Sequence, residues 1–290
     1  MKFIYAVAFV FFSISIGAQD ISKFGGFIKI QDSLFIKYRI EFTEKNGAIS
    51  GISFTDFGGE HETMSKIAGT YSEDDKLISF SEVQMIYTKS PVSLDNFDFC
   101  NVHFQPSKFK IGSDKLSGDF KGKFKDGSKC LDGEIAMSSY DKINQRVSKF
   151  SKKVEKSRRI PDSIKNKVRD IKIIDTLNLN ILKPNDITSI PTKSKSLKFE
   201  IYDGGQIDGD IISIYQDGKL ILSKHKISAT KETFEIPVLK RKTQLKIVSE
   251  SVGSIGANTA IIEVLDNGNI IKTMTNLNKG ESTLIDVIKI

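Results

Sequence analysis

Between Leu34 and Phe42 every second residue is apolar: Leu34, Ile36, Tyr38, Ile40 and Phe42 share one face, while Lys37, Arg39 and Glu41 share the other. A repeat of two is the signature of side chains alternating across a pleated strand, and it is incompatible with the 3.6-residue period of a helix. Similar short runs, cut by turn residues, recur over residues 24–138 and again from Leu197 to Ile288, so the chain is expected to be mainly β. The dipeptides Asn46-Gly47, Asp126-Gly127, Asp217-Gly218 and Asn267-Gly268 predict tight turns, because Asn, Asp and Gly tolerate the left-handed backbone such turns need.

In the first stretch the expected strands are 34–42, 49–54, 66–71, 76–80, 82–88, 97–105, 115–124 and 129–137. Leu116, Gly118, Phe120, Gly122 and Phe124 fall on one face, and large side chains alternating with glycine suit a curved wall. A meander closing into an antiparallel barrel is the simplest architecture, because closure removes exposed edges; a two-sheet sandwich is the alternative. Eight further strands between Leu197 and Ile288 predict a C-terminal jelly-roll-like β-sandwich.

Residues 139–196 break the alternation. Ile143, Val147, Phe150 and Val154 form the stripe of an amphipathic helix that Pro161 should end. Residues 139–175 hold twelve Lys or Arg against five Asp or Glu, an excess of +7 that equals the formal charge of the whole chain. All of the basicity is therefore local. A solvated connector with its apolar stripe packed on the barrel is the favoured reading over contact with a membrane surface, since the stripe lacks Trp. Pro184, Pro191 and a run of Ser and Lys mark Leu182–Lys195 as a linker. The expected division is a signal peptide at 1–18, a barrel-like domain at 19–138, a basic helical connector and linker at 139–196, and a sandwich at 197–290.

Lys2, the apolar run Phe3–Ile16 and the small residues Gly17-Ala18 before Gln19 have the form of a cleavable signal peptide, too short for a spanning segment of about twenty residues. Export to a periplasmic or extracellular compartment is oxidising, so Cys100 and Cys130, the only cysteines, are expected to form a disulfide. An exported protein is not expected to meet nucleic acid.

The most distinctive segment is Asp203-Gly204-Gly205-Gln206-Ile207-Asp208-Gly209-Asp210. Three carboxylates spaced by glycines, Asp203, Asp208 and Asp210, could supply hard oxygen ligands to Ca²⁺, although the EF-hand pattern is not met. Their alternative role is to bond neighbouring backbone amides in turns. Enzyme motifs fare worse. His61-Glu62 has Ser65 where a zincin needs its second His, and Ser251–Gly256 does not match G-x-S-x-G.

The run EIYDGGQIDGDIISIYQDGKLIL, residues 200–222, together with SESVGSIGANTAIIEVLDNG from Ser249, resembles a C-terminal β-sandwich module of exported Bacteroidota proteins. The resemblance covers about residues 197–288, and its shared features include Asp203, Asp208, Asp210, Ser213, Gly253, Ser254, Asn258 and Thr259; Gly256-Ala257 replaces an expected proline pair. It implies a sandwich and says little of activity. The Asp-Gly-Asp run is also similar to calcium-dependent carbohydrate-binding sandwiches, a likeness of fold and not of function. The expectation is a non-catalytic exported module that recognises a glycan or an envelope protein, with Ca²⁺ on Asp203, Asp208 and Asp210 and with Tyr202 and Asn258 as ligand contacts. A structural or assembly component of the envelope is the alternative, and a glycan hydrolase the third.

Overall fold

The computed structural model describes residues 21–31, 34–157, 159–169, 179–204, 207–254 and 256–290; the signal-peptide reading of residues 1–18 lies outside them. Eight antiparallel strands form the N-terminal barrel: β1 (Ser22–Ile30), β2 (Leu34–Lys45), β3 (Ala48–Thr55), β4 (Thr63–Ser72), β5 (Leu77–Ser90), β6 (Asn101–Lys108), β7 (Lys115–Lys123) and β8 (Lys129–Ser139). Each pairs with its sequence neighbour, and β1 pairs with β8 to close the ring. Its interior is filled by side chains such as Phe24, Tyr38, Phe42, Phe80, Phe104 and Phe120, all nearly inaccessible to water. Burying each such ring contributes on the order of 2 kcal/mol.

The predicted alternation of β2 is present, with Tyr38, Ile40 and Phe42 inside the barrel. On the opposite face Arg39 and Glu41 are nonetheless buried, because other groups cover that wall. At the β2–β3 turn Asn46 and Gly47 both have positive φ, as do Asp217-Gly218 and Asn267-Gly268 at their own turns.

The disulfide Cys100–Cys130 is present, with a Cα–Cα distance of 6.0 Å. It bridges the start of β6 to β8, across the strand β7 that separates them. Gly122 of β7 lies beneath the bridge: a Cβ there would sit 2.6 Å from Cys100 Sγ and 2.9 Å from Cys130 Sγ. The Leu131 carbonyl of β8 would lie nearer still, so glycine at 122 is required by the neighbouring backbone as well as by the crosslink.

Two barrel strands depart from the reading of the sequence: β1, which closes the ring, is not among the expected strands, and β5 is expected in two pieces. Residues 76–80 and 82–88, expected as two strands, are one 14-residue strand, β5. Its pairing with β4 carries two register irregularities, between Met64 and Ser65 and between Lys66 and Ile67. Such bulges bend a strand without ending it. The first part of β5 pairs with β6 inside the barrel, while Thr88–Ser90 pair with β10 (Ile187–Thr192) of the second half.

The barrel wall therefore runs on into a sheet ordered β13-β12-β15-β18-β10-β5, with β12 (Asp210–Gln216), β13 (Lys219–Lys226), β15 (Lys242–Val252) and β18 (Ser282–Lys289). Facing it is a second sheet, β14-β11-β16-β17-β9, formed by β9 (Asn180–Leu182), β11 (Ser196–Asp203), β14 (Glu232–Pro237), β16 (Ala260–Asp266) and β17 (Asn269–Thr275). Between the sheets lies a core that includes Phe199, Ile212, Ile247, Ile262, Val264 and Val287. Ile86 and Tyr87 of β5 belong to this second core, so the two halves have separate interiors but share a strand.

Most connections cross between the sheets, as the predicted jelly-roll-like wiring requires, but β10–β18 and β9–β17 pair in parallel. Both β9 and β10 lie in what the sequence presents as connector. Pro191 is tolerated in β10 because the antiparallel pairing with β5 stops at Ser189, so that proline's missing N–H leaves no broken bond on that side.

The connector helix α1 (Tyr140–Lys156) starts on an N-cap, Ser139 Oγ, which accepts from the Lys142 N–H at 3.3 Å. Of the predicted stripe Val154 is buried, Ile143 and Val147 are half-buried, and Phe150 is exposed. A second helix, α2 (Asp162–Arg169), begins directly after Pro161. No helix among the described residues is long and apolar enough to cross a membrane.

Candidate functional site

The two motifs singled out in the sequence meet at one end of the sandwich. β11 ends at Asp203, β12 begins at Asp210, and Asp210 pairs with Val252 at the end of β15. This register sets the loop before Asp210 against the loop that follows Val252. Asp210 Oδ2 accepts from the Thr259 N–H at 2.8 Å, and the Asp208 carbonyl accepts from the Ser254 N–H at 3.2 Å. Gly253 is the point of closest approach, with φ +57° and a hypothetical Cβ only 2.5 Å from Asp208 Cγ. Any larger residue there would be strained and would displace the carboxylate.

Asp203 and Asp210 are buried and Asp208 is half-buried. Burial pushes the Asp210 carboxyl above its ordinary range; the Thr259 N–H opposes this, and the charges of Asp208 and Asp203 add to it. The fold has therefore gathered three carboxylates closely enough to repel one another. Asp210 Oδ1 is buried and has no hydrogen-bond partner among the described residues. No group of three or more Asp, Glu, His or Cys is arranged to hold a metal ion among those residues, however, so the carboxylates share an end of the sandwich without forming a complete coordination shell.

Asn258 is fully buried and its amide is used within the fold. Its Nδ2 donates to the carbonyls of Ile211 (3.3 Å) and Ser251 (3.0 Å), and its Oδ1 accepts from Thr275 Oγ1 at 2.9 Å. It ties β17 to the paired ends of β12 and β15, where Ile211 and Ser251 are ladder partners beside a register shift.

No family model, curated protein or solved structure matches this chain. Function must be read from the sites themselves.

Tyr202 points away from the acidic end. Side chains alternate along β11, so Leu197, Phe199 and Ile201 face the core while Lys198, Glu200 and Tyr202 face outward. Tyr202 Oη donates to Glu263 Oε1 at 2.7 Å, and Lys231 Nζ and Lys272 Nζ lie 5.0 and 5.6 Å from its ring centre. Lys231 also pairs with Glu200 and Glu263, at 2.7 and 2.8 Å. Hydrogen bonds from Lys198 and Lys231 hold the Glu200 carboxyl below its usual range, and the hydrogen bonds that Lys231 donates to Glu200 and Glu263 push Lys231 up. Sequence reasoning placed Tyr202 beside the Asp cluster because the two are adjacent in the chain; adjacency along a strand puts them on opposite faces.

The remaining candidates for chemistry are tied into the structure. Glu62 of the failed zincin pattern is buried and accepts from Tyr87 Oη at 2.7 Å and from the Gly58 N–H at 2.6 Å. His103 shares a 2.8 Å hydrogen bond with Ser81 Oγ across β5–β6, and burial, followed by the Lys123 charge, lowers its pKa. One unanticipated acid lies inside the barrel. Glu82 Oε1 accepts from Ser53 Oγ (2.7 Å) and Tyr38 Oη (3.2 Å), and Oε2 accepts from the Val102 N–H (2.8 Å). Pairing of β5 with β6 ends at Ser81–His103, so Glu82 satisfies an N–H of β6 that β5 no longer reaches. Only the bend of β5 reveals that role.

Proposed function

We propose that this chain is an exported, non-catalytic binding module whose acidic loop end takes up Ca²⁺ and presents it to a glycan or to an envelope protein. The reading rests on the buried Asp210 Oδ1, which lacks a donor while two neighbouring carboxylates raise the cost of its charge. A divalent cation at Asp210, drawn there by the charges of Asp203 and Asp208, offsets the repulsion and the lost solvation. Ca²⁺ suits this site because it accepts six to eight oxygen ligands in irregular geometry, and backbone carbonyls or sugar hydroxyls can complete the shell.

Titration with CaCl₂ is the test. At about a hundred times Kd a bound ion stabilises the fold by about 2.7 kcal/mol, enough to raise Tm by several degrees. Asp210→Asn keeps an acceptor for the Thr259 N–H but removes the charge. It is expected to raise the Tm of the calcium-free protein and to abolish the further rise with calcium. No binding heat and no Tm shift at millimolar Ca²⁺ would remove the ion from the reading.

A structural or assembly role is the second reading, favoured by the way Asn258 and Thr259 staple the loops. Co-purification with one envelope protein that is indifferent to chelator supports it; glycan binding that chelator abolishes supports the first.

A further inference from the structure

On the outside of the barrel, beneath the start of α1, runs a groove of about 750 Å³, within the roughly 300–1,000 Å³ typical of small-molecule sites. We propose that it binds a free acyl carboxylate, an anionic amphiphile with a medium or long hydrocarbon chain. The inference is independent of the calcium site.

The floor is made of small residues. Gly25 of β1 lies opposite Ser138 of β8, and Ala136 of β8 lies opposite Ser117 of β7, while Met137 between them turns into the barrel core. With no bulky side chains standing off this part of the wall, a chain can lie flat on it. Apolar groups form the sides: Phe27, Phe57, and Tyr140 and Ile143 from α1. Tyr140 is brought over the floor because α1 leaves β8 at its Ser139 cap, and a Cβ at Gly25 would lie 2.9 Å from Tyr140 Cε1. Phe27 stands on the same face of β1 as Gly25 and is 50% exposed. Its ring extends the apolar side of the cleft and is open to a ligand lying there.

Charge selects the class of occupant. Three cations line the groove, Lys37, Arg39 and Lys115, and no carboxylate does. Lys37 and Lys115 are exposed and form no ion pair among the described residues. Arg39 is held rigid: it pairs with Glu41, and its guanidinium lies 4.8, 5.0 and 5.4 Å from the ring centres of Phe54, Phe57 and Tyr140. An apolar trough with cations along it complements a hydrocarbon chain ending in a negative head. An acidic peptide or a neutral sugar would leave most of the lining unmatched.

Calorimetry on the full chain decides it, with laurate below its micellar concentration as the probe. Laurate is expected to bind, with dodecyltrimethylammonium at least tenfold weaker and butyrate silent. Ala136→Trp fills the floor and should abolish laurate binding; Lys37→Glu with Lys115→Glu should weaken it at least tenfold with little change in Tm, since both side chains are exposed. If Ala136→Trp fails to fold, the charge reversals alone carry the test. Absence of laurate heat, equal binding of the cationic amphiphile, indifference to the charge reversals, or binding only to phosphatidylglycerol vesicles would overturn the proposal.

Discussion

Glu82 shows how a single side chain can carry a consequence for the whole pH profile. Burial raises its carboxyl above the ordinary range, and its hydrogen bonds to the Val102 N–H, Ser53, Tyr38 and Thr55 only partly counter this. A carboxyl raised on folding contributes stability that is fully present below its unfolded value of 4.5 and is lost as pH rises through the folded value. Glu82→Gln retains an acceptor for the Val102 N–H and removes the charge, so at pH 7 it should raise Tm. At pH 4, where the native acid is protonated, that gain should largely vanish. A Tm difference that is the same at both pH values would show that Glu82 is not the titrating group. Glu82→Ala, by contrast, strands the Val102 N–H and should cost about 1–3 kcal/mol at either pH.

Strands were read more accurately than their partners. All eight C-terminal strands from 197 to 288 form close to where alternation and the Asp-Gly and Asn-Gly turns predict them, because these signals act within a few residues. What alternation does not encode is which edges meet. β9 and β10 are short, contain or adjoin prolines, and exist only because β17 and β18 lend them parallel ladders. The acidic loop was legible as a cluster, since glycine spacing is local, but the staple by Asn258 and the outward turn of Tyr202 depend on register across three strands. The disulfide is a middle case: compartment and cysteine count predict the pair, while Gly122 explains how β7 passes under it. Chain-entropy arguments assign roughly 3–4 kcal/mol to a bridge that spans a separation of 30 residues. Gly122→Ala should therefore be strongly destabilising in the native chain and measurably less so in a Cys100→Ala, Cys130→Ala background, where the Leu131 carbonyl beside the new Cβ still opposes it; urea unfolding measures both. Equal costs in both backgrounds would mean the crosslink does not set the residue at 122.

At the scale of the molecule, barrel and sandwich are joined by more than a tether. β5 supplies Ile78 and Phe80 to one interior and Ile86 and Tyr87 to the other, and Ile52 and Met64 on the outer barrel wall pack against the sandwich core. A strand that must be ordered for either core to exist couples the two, so calorimetry should show one transition with van't Hoff and calorimetric enthalpies in near agreement. Two resolved transitions would show that the bend in β5 uncouples them.

The position of β18 carries a further consequence. Although it comprises Ser282–Lys289, later in sequence than every strand it pairs with, it lies between β15 and β10, in the middle of the wall that leads to the barrel. During synthesis, therefore, a nascent chain halted at residue 281 has β15 and β10 waiting on either side of a gap, and the wall between sandwich and barrel is not continuous until residues 282–289 emerge.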